Sequence, residues 1–384
     1  MKPTAPPNQL SAFAVTAPGL EPLCASELAD LGIAAVVEEG GVAWSGDLES
    51  VARANLWLRT ASRVIVRAAE FRARTFFELE RHARQVPWSR FVSKGGEVEF
   101  RVTSRKSKLY HTGAIAQRLG TAAAERAGAR VRPTTGADDD ETAFTSAAQM
   151  FVVRVLHDRV TISADSSGAL LHFRGYRQAL AKAPLRETLA AAILRGAGWR
   201  GEVPVLDPMC GSGTIPIEAA LIARRIAPGL GRPFAFLTWP EYERAAWTRI
   251  VTEARAQQLE RVAVRIVGAD RDEGAIKAAI SNAERAGVSG DIEFVVRPLS
   301  AMDAEAAPGL VATNPPYGVR IGQTDALRNL YAQLGNVLRR KRQGWMLALL
   351  SADPPLERQI GIELEERFRT RNGGIPVRLV VGTV

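Results

Sequence analysis

Short apolar runs and amphipathic stretches alternate along the whole chain, but with two different rhythms. Over residues 11–71 an apolar run at 13–16 is followed by a helical stretch at 20–32 that stops on glycine. Two alternating runs flank Gly40-Gly41, a helix begins at Asp47, and a last run covers 63–71. Period-two alternation predicts strands and a 3.6-residue period predicts helices, so the order is β-α-β-β-α-β, the split arrangement of ferredoxin-like folds. Residues 72–165 predict a helix near 76–84, a strand near 98–103, a helix at about 113–127, a loop rich in Pro, Gly and Asp at 131–141, and a hairpin made of 150–157 and 159–165. From about Ala183 apolar strands alternate with amphipathic helices, the pattern of a parallel sheet wound with helices. Its strands are expected at 203–206, 264–268, 292–296, 310–313 and 345–350, with two more near the C-terminus. Residues 224–261 are too long for a plain crossover and predict a helix or two outside the sheet.

With 384 residues, 46% of them apolar, the chain can bury the cores of two or three domains. Its net charge of +9 leans toward a polyanionic partner and is equally consistent with a solvated basic surface. Residues 53–132 alone carry 18 basic and 6 acidic side chains, an excess of 12, so the whole surplus can be assigned to that stretch. Asp138, Asp139, Asp140 and Glu141 follow it and read as a solvated loop tip. Cys24 and Cys210 lie far apart, and His82, His111, His157 and His172 fall in separate segments. That is neither a disulfide framework nor the spacing of a metal site, so no metal is expected. Residues 1–10 are polar and proline-rich, and no run of about 18 apolar residues occurs, which predicts a cytoplasmic protein without a membrane segment.

Two motifs carry candidate chemistry. In the first, an apolar strand ends in a carboxylate and turns through glycine into a helix: Asp207-Pro208-Met209-Cys210-Gly211-Ser212-Gly213-Thr214. Glycines at the carboxyl end of a first strand let backbone approach a ligand where open α/β sheets bind cofactors. The third glycine of a dinucleotide fingerprint and the Lys-Ser/Thr of a P-loop are both missing. An acid at the strand tip repels a pyrophosphate but suits the ammonium of S-adenosylmethionine. Taken alone, such a turn is equally consistent with a structural role. The second strand, ending in Asp270, places an acid at the distance expected for one that hydrogen-bonds ribose hydroxyls. Asp272 and Asn282 are expected to cap or line the helix that follows.

The second motif is Asn314-Pro315-Pro316-Tyr317 after the fourth strand. Two prolines lock the backbone, so the Asn314 side chain and the adjacent carbonyl become fixed acceptors. An exocyclic amine of guanine or adenine is a poor nucleophile because its lone pair is delocalised into the ring. Two acceptors gripping its hydrogens draw the nitrogen toward tetrahedral geometry while the Tyr317 ring stacks on the base. Cys210 lies inside the cofactor loop and reads as a packed small residue rather than a nucleophile.

These motifs, together with Thr16-Ala17-Pro18-Gly19-Leu20-Glu21, the run from Ala54 to Thr60, the run from Arg101 to Thr112, Arg174-Gly175-Tyr176-Arg177 and Ala183-Pro184-Leu185-Arg186-Glu187, resemble the THUMP-domain RNA methyltransferases that modify guanine N2 in rRNA and tRNA. The co-linear set covers nearly the whole chain. The resemblance implies a ferredoxin-like domain over residues 1–72, a THUMP RNA-binding domain over 73–168 and a Rossmann-like class I methyltransferase domain over 169–384. It also implies that Asp207, Pro208, Gly211, Ser212, Gly213, Thr214 and Asp270 hold S-adenosylmethionine and that Asn314 to Tyr317 grip the guanine. Arg105, Lys106 and Lys108 become phosphate-contact candidates and Tyr110 a candidate stacker. A solvated basic face and a core tyrosine are equally consistent with those four. The family's acid after the third strand is displaced here to Asp303, which leaves the cofactor adenine to backbone or to Ser300.

The function expected is methyl transfer to guanine N2 in structured RNA, with rRNA favoured over tRNA. Adenine N6 or DNA as target, and a ribosome-assembly factor without activity, are the competing readings. The chain says nothing about oligomeric state.

Overall fold

A computed structural model describes residues 9–132, 148–177, 185–305, 308–317 and 324–384. The proline-rich start, the acidic tip at 138–141, Ala183, Pro184 and Gly318 lie outside the described residues. The chain forms two compact units. The first comprises residues up to Thr16, Ala25–Leu171 and Arg232–Thr252; the second comprises Ala17–Cys24, His172–Gly231 and Glu253–Val384.

The elements of the front half are β1 (Leu10–Thr16), α1 (Glu21–Asp30), β2 (Ala35–Glu38), β3 (Gly41–Gly46), α2 (Leu48–Trp57), β4 (Ala61–Arg72), α3 (Phe76–Ala83), β5 (Glu97–Arg105), α4 (Thr112–Ala127), β6 (Arg130–Val131), β7 (Gln149–Leu156) and β8 (Arg159–Asp165). They build one eight-stranded sheet in the order β2-β3-β1-β4-β8-β7-β5-β6. β1 pairs antiparallel with both β3 and β4, which is the ferredoxin-like split predicted from the pattern. Pairing of β4 with β8 extends that sheet directly into the following strands.

The core of this unit is aromatic. Trp88 meets the edge of Phe151 at 4.9 Å, and Phe100 stacks on Phe151 at 5.6 Å. The long excursion anticipated at 224–261 supplies part of this core. Trp239 packs edge-on to Phe91 at 5.0 Å, and its indole N–H donates to Gln149 Oε1 at 2.7 Å. A buried indole needs such a partner for its one polar atom.

The back half contributes α5 (Glu187–Gly196), β9 (Val205–Asp207), α6 (Thr214–Ala223), α7 (Arg244–Ala256), β10 (Ile266–Asp270), α8 (Glu273–Arg285), β11 (Glu293–Val296), β12 (Leu310–Thr313), α9 (Thr324–Lys341), β13 (Met346–Ser351), α10 (Pro354–Ile360), β14 (Glu365–Asn372) and β15 (Ile375–Thr383). Seven strands run in the order β11-β10-β9-β12-β13-β15-β14. The first five are parallel, and β15 runs antiparallel to both its neighbours. β9 and β12 are buried along their length, as parallel strands covered on both faces must be.

Replacing Trp239 with alanine should destabilise the protein by about 3–5 kcal/mol, the usual cost of emptying a buried aromatic site. Chemical denaturation reads this as a lowered midpoint, and an unchanged midpoint would show that the excursion adds nothing to the first core.

Candidate active site

The strand order reverses between β9 and β12, and such a switch point opens a crevice at the carboxyl ends of the strands. Asp207 ends β9 there with a fully buried carboxyl group. Its Oδ1 accepts hydrogen bonds from Thr313 Oγ1 at 2.8 Å and from the Met209 N–H at 3.1 Å. Oδ2 accepts none from the described residues. Burial pushes the acid up to about 7, against the two hydrogen bonds, with nearby Asp270 adding to the rise.

The glycine loop is pinned from three sides. The Cys210 N–H donates to the Ala269 carbonyl and the Gly211 N–H to Asp270 Oδ2, both at 2.9 Å. Asn282, wholly buried on α8, donates from Nδ2 to the Ser212 carbonyl at 3.1 Å. Gly211 and Gly213 sit at φ +52° and +83°, which an L side chain resists. A Cβ on Gly213 would lie 2.8 Å from the Ala279 Cβ, whereas one on Gly211 would meet open space. The loop thus packs on one glycine and keeps a bare face at the other. Gly213 caps α6 without a side chain, leaving first-turn N–H groups toward the crevice. Burial pushes the Cys210 thiol well up, so it stays protonated and inert, in keeping with a packed small residue.

Asp270 is already engaged, through Oδ2 with Gly211 and through Oδ1 with the Asp272 N–H at 3.0 Å. Asp272 caps α8 by accepting from Gly274 and Ala275. Pro208 leads into the loop. Beyond β11, Ser300 stands exposed on a single turn at Leu299–Ala301, and Asp303 is ion-paired with Arg297.

On the other side of the switch point, Thr313 leads directly into Asn314. The Asn314 Oδ1 is closed off from solvent and has no hydrogen-bond partner among the described residues. Pro315 is buried, Pro316 is exposed and Tyr317 is half-buried. Tyr317 Oη accepts a hydrogen bond from Asn372 Nδ2 at 2.7 Å, which fixes the ring. Burial raises the Tyr317 phenol, keeping it neutral.

The structure therefore brings Asp207, the glycine loop, Asp270 and Asn314 to neighbouring strand ends in one unit. Arg105, Lys106, Lys108 and Tyr110 lie together in the first unit, all exposed. Tyr110 is 68% exposed, so it is not a core tyrosine.

Four contributors have no role assigned by the motifs. Arg177 donates to Thr214 Oγ1 at 2.8 Å and pairs with Glu187 at 3.3 Å, and burial pushes that acid up to about 7. Both belong to segments whose family resemblance was their only signal. Asn282, expected only to cap or line its helix, instead holds the Ser212 carbonyl of the glycine loop. Asn372 had no local signal.

The site is thus that of a seven-stranded methyltransferase fold. The chain belongs to the family described as RMKL-like, methyltransferase domain, whose model matches residues 174–380; the model of an RlmL ferredoxin-like domain matches residues 11–65. A putative RNA methyltransferase of Synechocystis is 35% identical over 96% of this chain and 95% of its own length. A ribosomal RNA large subunit methyltransferase K/L of Syntrophotalea carbinolica is 39% identical over 96% of this chain but only 53% of its own length. The chain spans about half the length of the K/L relatives it matches. SMU.472, a putative methyltransferase solved in complex with SAH, superposes with a TM-score of 0.86 at 31% identity, covering 98% of each chain. The cofactor is S-adenosylmethionine, and the site fits it: a buried carboxyl group has an unclaimed oxygen beside a bare glycine face.

Cofactor affinity should depend on pH. An ammonium group needs Asp207 ionised, so below about 7 binding must expel a proton and weakens by up to ~tenfold per pH unit. Calorimetry with S-adenosylmethionine from pH 5.5 to 7.5 should show this slope, flattening near the top. A profile flat throughout would remove Asp207 from the ammonium contact.

Proposed function

We propose that this protein transfers a methyl group from S-adenosylmethionine to an exocyclic amine of RNA, namely N2 of guanine in large-subunit rRNA. The observation that carries the reading is the buried Asn314 Oδ1, unclaimed among the described residues and one residue beyond the threonine that holds Asp207. A buried acceptor left empty costs about 1–3 kcal/mol, which a bound amine would recover. The names of the K/L relatives support rRNA as the substrate class, and tRNA is the alternative.

The cofactor supplies an electrophilic methyl group. Asp207 Oδ2 holds its ammonium, the Gly211 face and Ser212 line it, Thr214 closes the loop, and Asp270 meets the ribose. Asn314 Oδ1 and the carbonyl between Asn314 and Pro315 accept the two amine hydrogens. That grip localises the nitrogen lone pair where reaction needs it. The prolines prevent the acceptors from relaxing toward each other. Tyr317 stacks on the base in the orientation that Asn372 sets. No strong base is required, because the proton leaves after the methyl has moved. The ferredoxin-like segment 1–72 and a THUMP segment over 73–168 then serve the RNA, and 169–384, apart from the piece Arg232–Thr252 built into the first unit, the chemistry.

Asn314→Ala should lower kcat by about 10²–10³-fold with S-adenosylmethionine affinity retained. Labelled methyl transfer to purified unmodified rRNA and tRNA, followed by nucleoside analysis, reads both activity and product. Label in N6-methyladenine, or wild-type turnover by the variant, would overturn the assignment.

A further inference from the structure

We propose that Tyr331 is a specificity-determining residue of the methyl-transfer site, its hydroxyl holding the N1–H and O6 side of the guanine whose N2 amine Asn314 grips. The inference rests on the reading above that guanine N2 is the target, and adds how the rest of that base is read.

Tyr331 lies midway along α9 and is wholly buried, in the cluster that includes Val311 of β12 and Leu347 and Leu349 of β13. An apolar ring belongs there, but its oxygen has no hydrogen-bond partner among the described residues, although a buried tyrosine hydroxyl usually finds one. The other two tyrosines of this unit follow that rule. Tyr176 Oη donates to Glu218 at 3.3 Å, and Tyr317 Oη accepts from Asn372 at 2.7 Å.

The polar groups that face the Tyr331 hydroxyl are Ser351, Glu357, Tyr317 and Asp353. Ser351 closes β13, whose parallel register with β12 sets Leu349 against Thr313. Two residues on, Ser351 stands level with Pro315. The hydroxyl therefore lies at the strand end that carries the Asn-Pro-Pro-Tyr turn. Each of its neighbours is engaged elsewhere. Ser351 Oγ accepts the Asp353 N–H at 3.2 Å and stands out of hydrogen-bonding geometry with Tyr331. Asp353 Oδ1 accepts the Leu356 N–H at 3.3 Å to cap α10, and Glu357 is ion-paired with Arg378. Burial raises the Tyr331 phenol, so it stays a neutral hydroxyl that can donate or accept.

Two buried oxygens without partners among the described residues, Asn314 Oδ1 and Tyr331 Oη, thus stand at the ends of adjacent strands. Each costs stability that a bound group recovers. In guanine the N1–H and then O6 follow the N2 amine along one edge, a donor and an acceptor, and a hydroxyl serves either. A site that hydrogen-bonds such an edge disfavours a base lacking it, because its own polar group is left unpaired.

The test uses an RNA segment spanning the guanosine methylated in rRNA, with guanosine or 2-aminopurine ribonucleoside at that position. The analogue keeps the 2-amine and lacks both N1–H and O6. Single-turnover methyl transfer with enzyme in excess is measured for wild type and Tyr331→Phe, together with S-adenosylmethionine affinity and the denaturation midpoint. The variant should keep wild-type cofactor affinity and an unchanged or higher midpoint, since the oxygen it loses has no partner. Its rate on guanosine should fall about tenfold and its rate on 2-aminopurine by less than about twofold, so the preference for guanosine shrinks. An unchanged preference, including rejection of 2-aminopurine by both proteins, overturns the role of Tyr331 alone. A lowered midpoint with equal losses on both bases identifies a structural hydroxyl and overturns it too. A wild-type protein that methylates neither base overturns the functional reading and this inference with it.

Discussion

The hydrogen bond from Thr313 Oγ1 to Asp207 Oδ1 spans the switch point of the sheet and ties together the strand ends that carry the glycine loop and the Asn-Pro-Pro-Tyr turn. Asp207 is the acid we assign to the cofactor, and Thr313 is the residue from which the Asn-Pro-Pro-Tyr turn departs. A fully buried carboxyl group is tolerated only with partners. Here two donors occupy one oxygen and leave the other for a cation. Displacing either strand end would break that arrangement, so the proposed cofactor and base sites are held to one frame.

Around it the polar network widens inward. α6 is buried on nearly all sides, and Glu218 on it takes Arg174 and Tyr176 as partners. Arg177 joins the first turn of α6 to Glu187, while Asn282 and Arg285 fasten the loop and the Tyr176 carbonyl to α8. Buried polar groups of this kind rigidify when satisfied and are costly when one member is removed. The glycine loop therefore owes its shape to side chains from α8 and from the segment preceding α5 as much as to its own residues.

Much of the catalytic half was legible in the sequence because its signals are local. β12 matches the expected 310–313 to the residue, since an apolar run meets Asn-Pro-Pro with nothing ambiguous between. β9 begins two residues later than the pattern suggests, because Pro204 has no N–H for a ladder. The unread parts are long-range. Nothing near Tyr317 or Asn372 marks one as the other's partner, and nothing in the excursion marks Trp239 for the first core rather than the second. The extension of the ferredoxin-like sheet through β4 and β8 depends on strand pairing that periodicity does not encode. Tyr110 illustrates the same limit, for a lone ring in a loop looks alike whether buried or bare.

The discontinuity of the first unit bears on how the chain is made. Its last piece, Arg232–Thr252, leaves the ribosome after β9 and α6 of the second unit have already emerged. At ~5–20 residues per second, on the order of ten seconds separates Leu171 from Thr252. Only toward its end is Trp239 made, the ring that packs on Phe91 in the folded core. Of the second sheet only β9 precedes that piece in the chain, so the first unit is completed before the second sheet can pair, and neither unit is a product of simple N-to-C order.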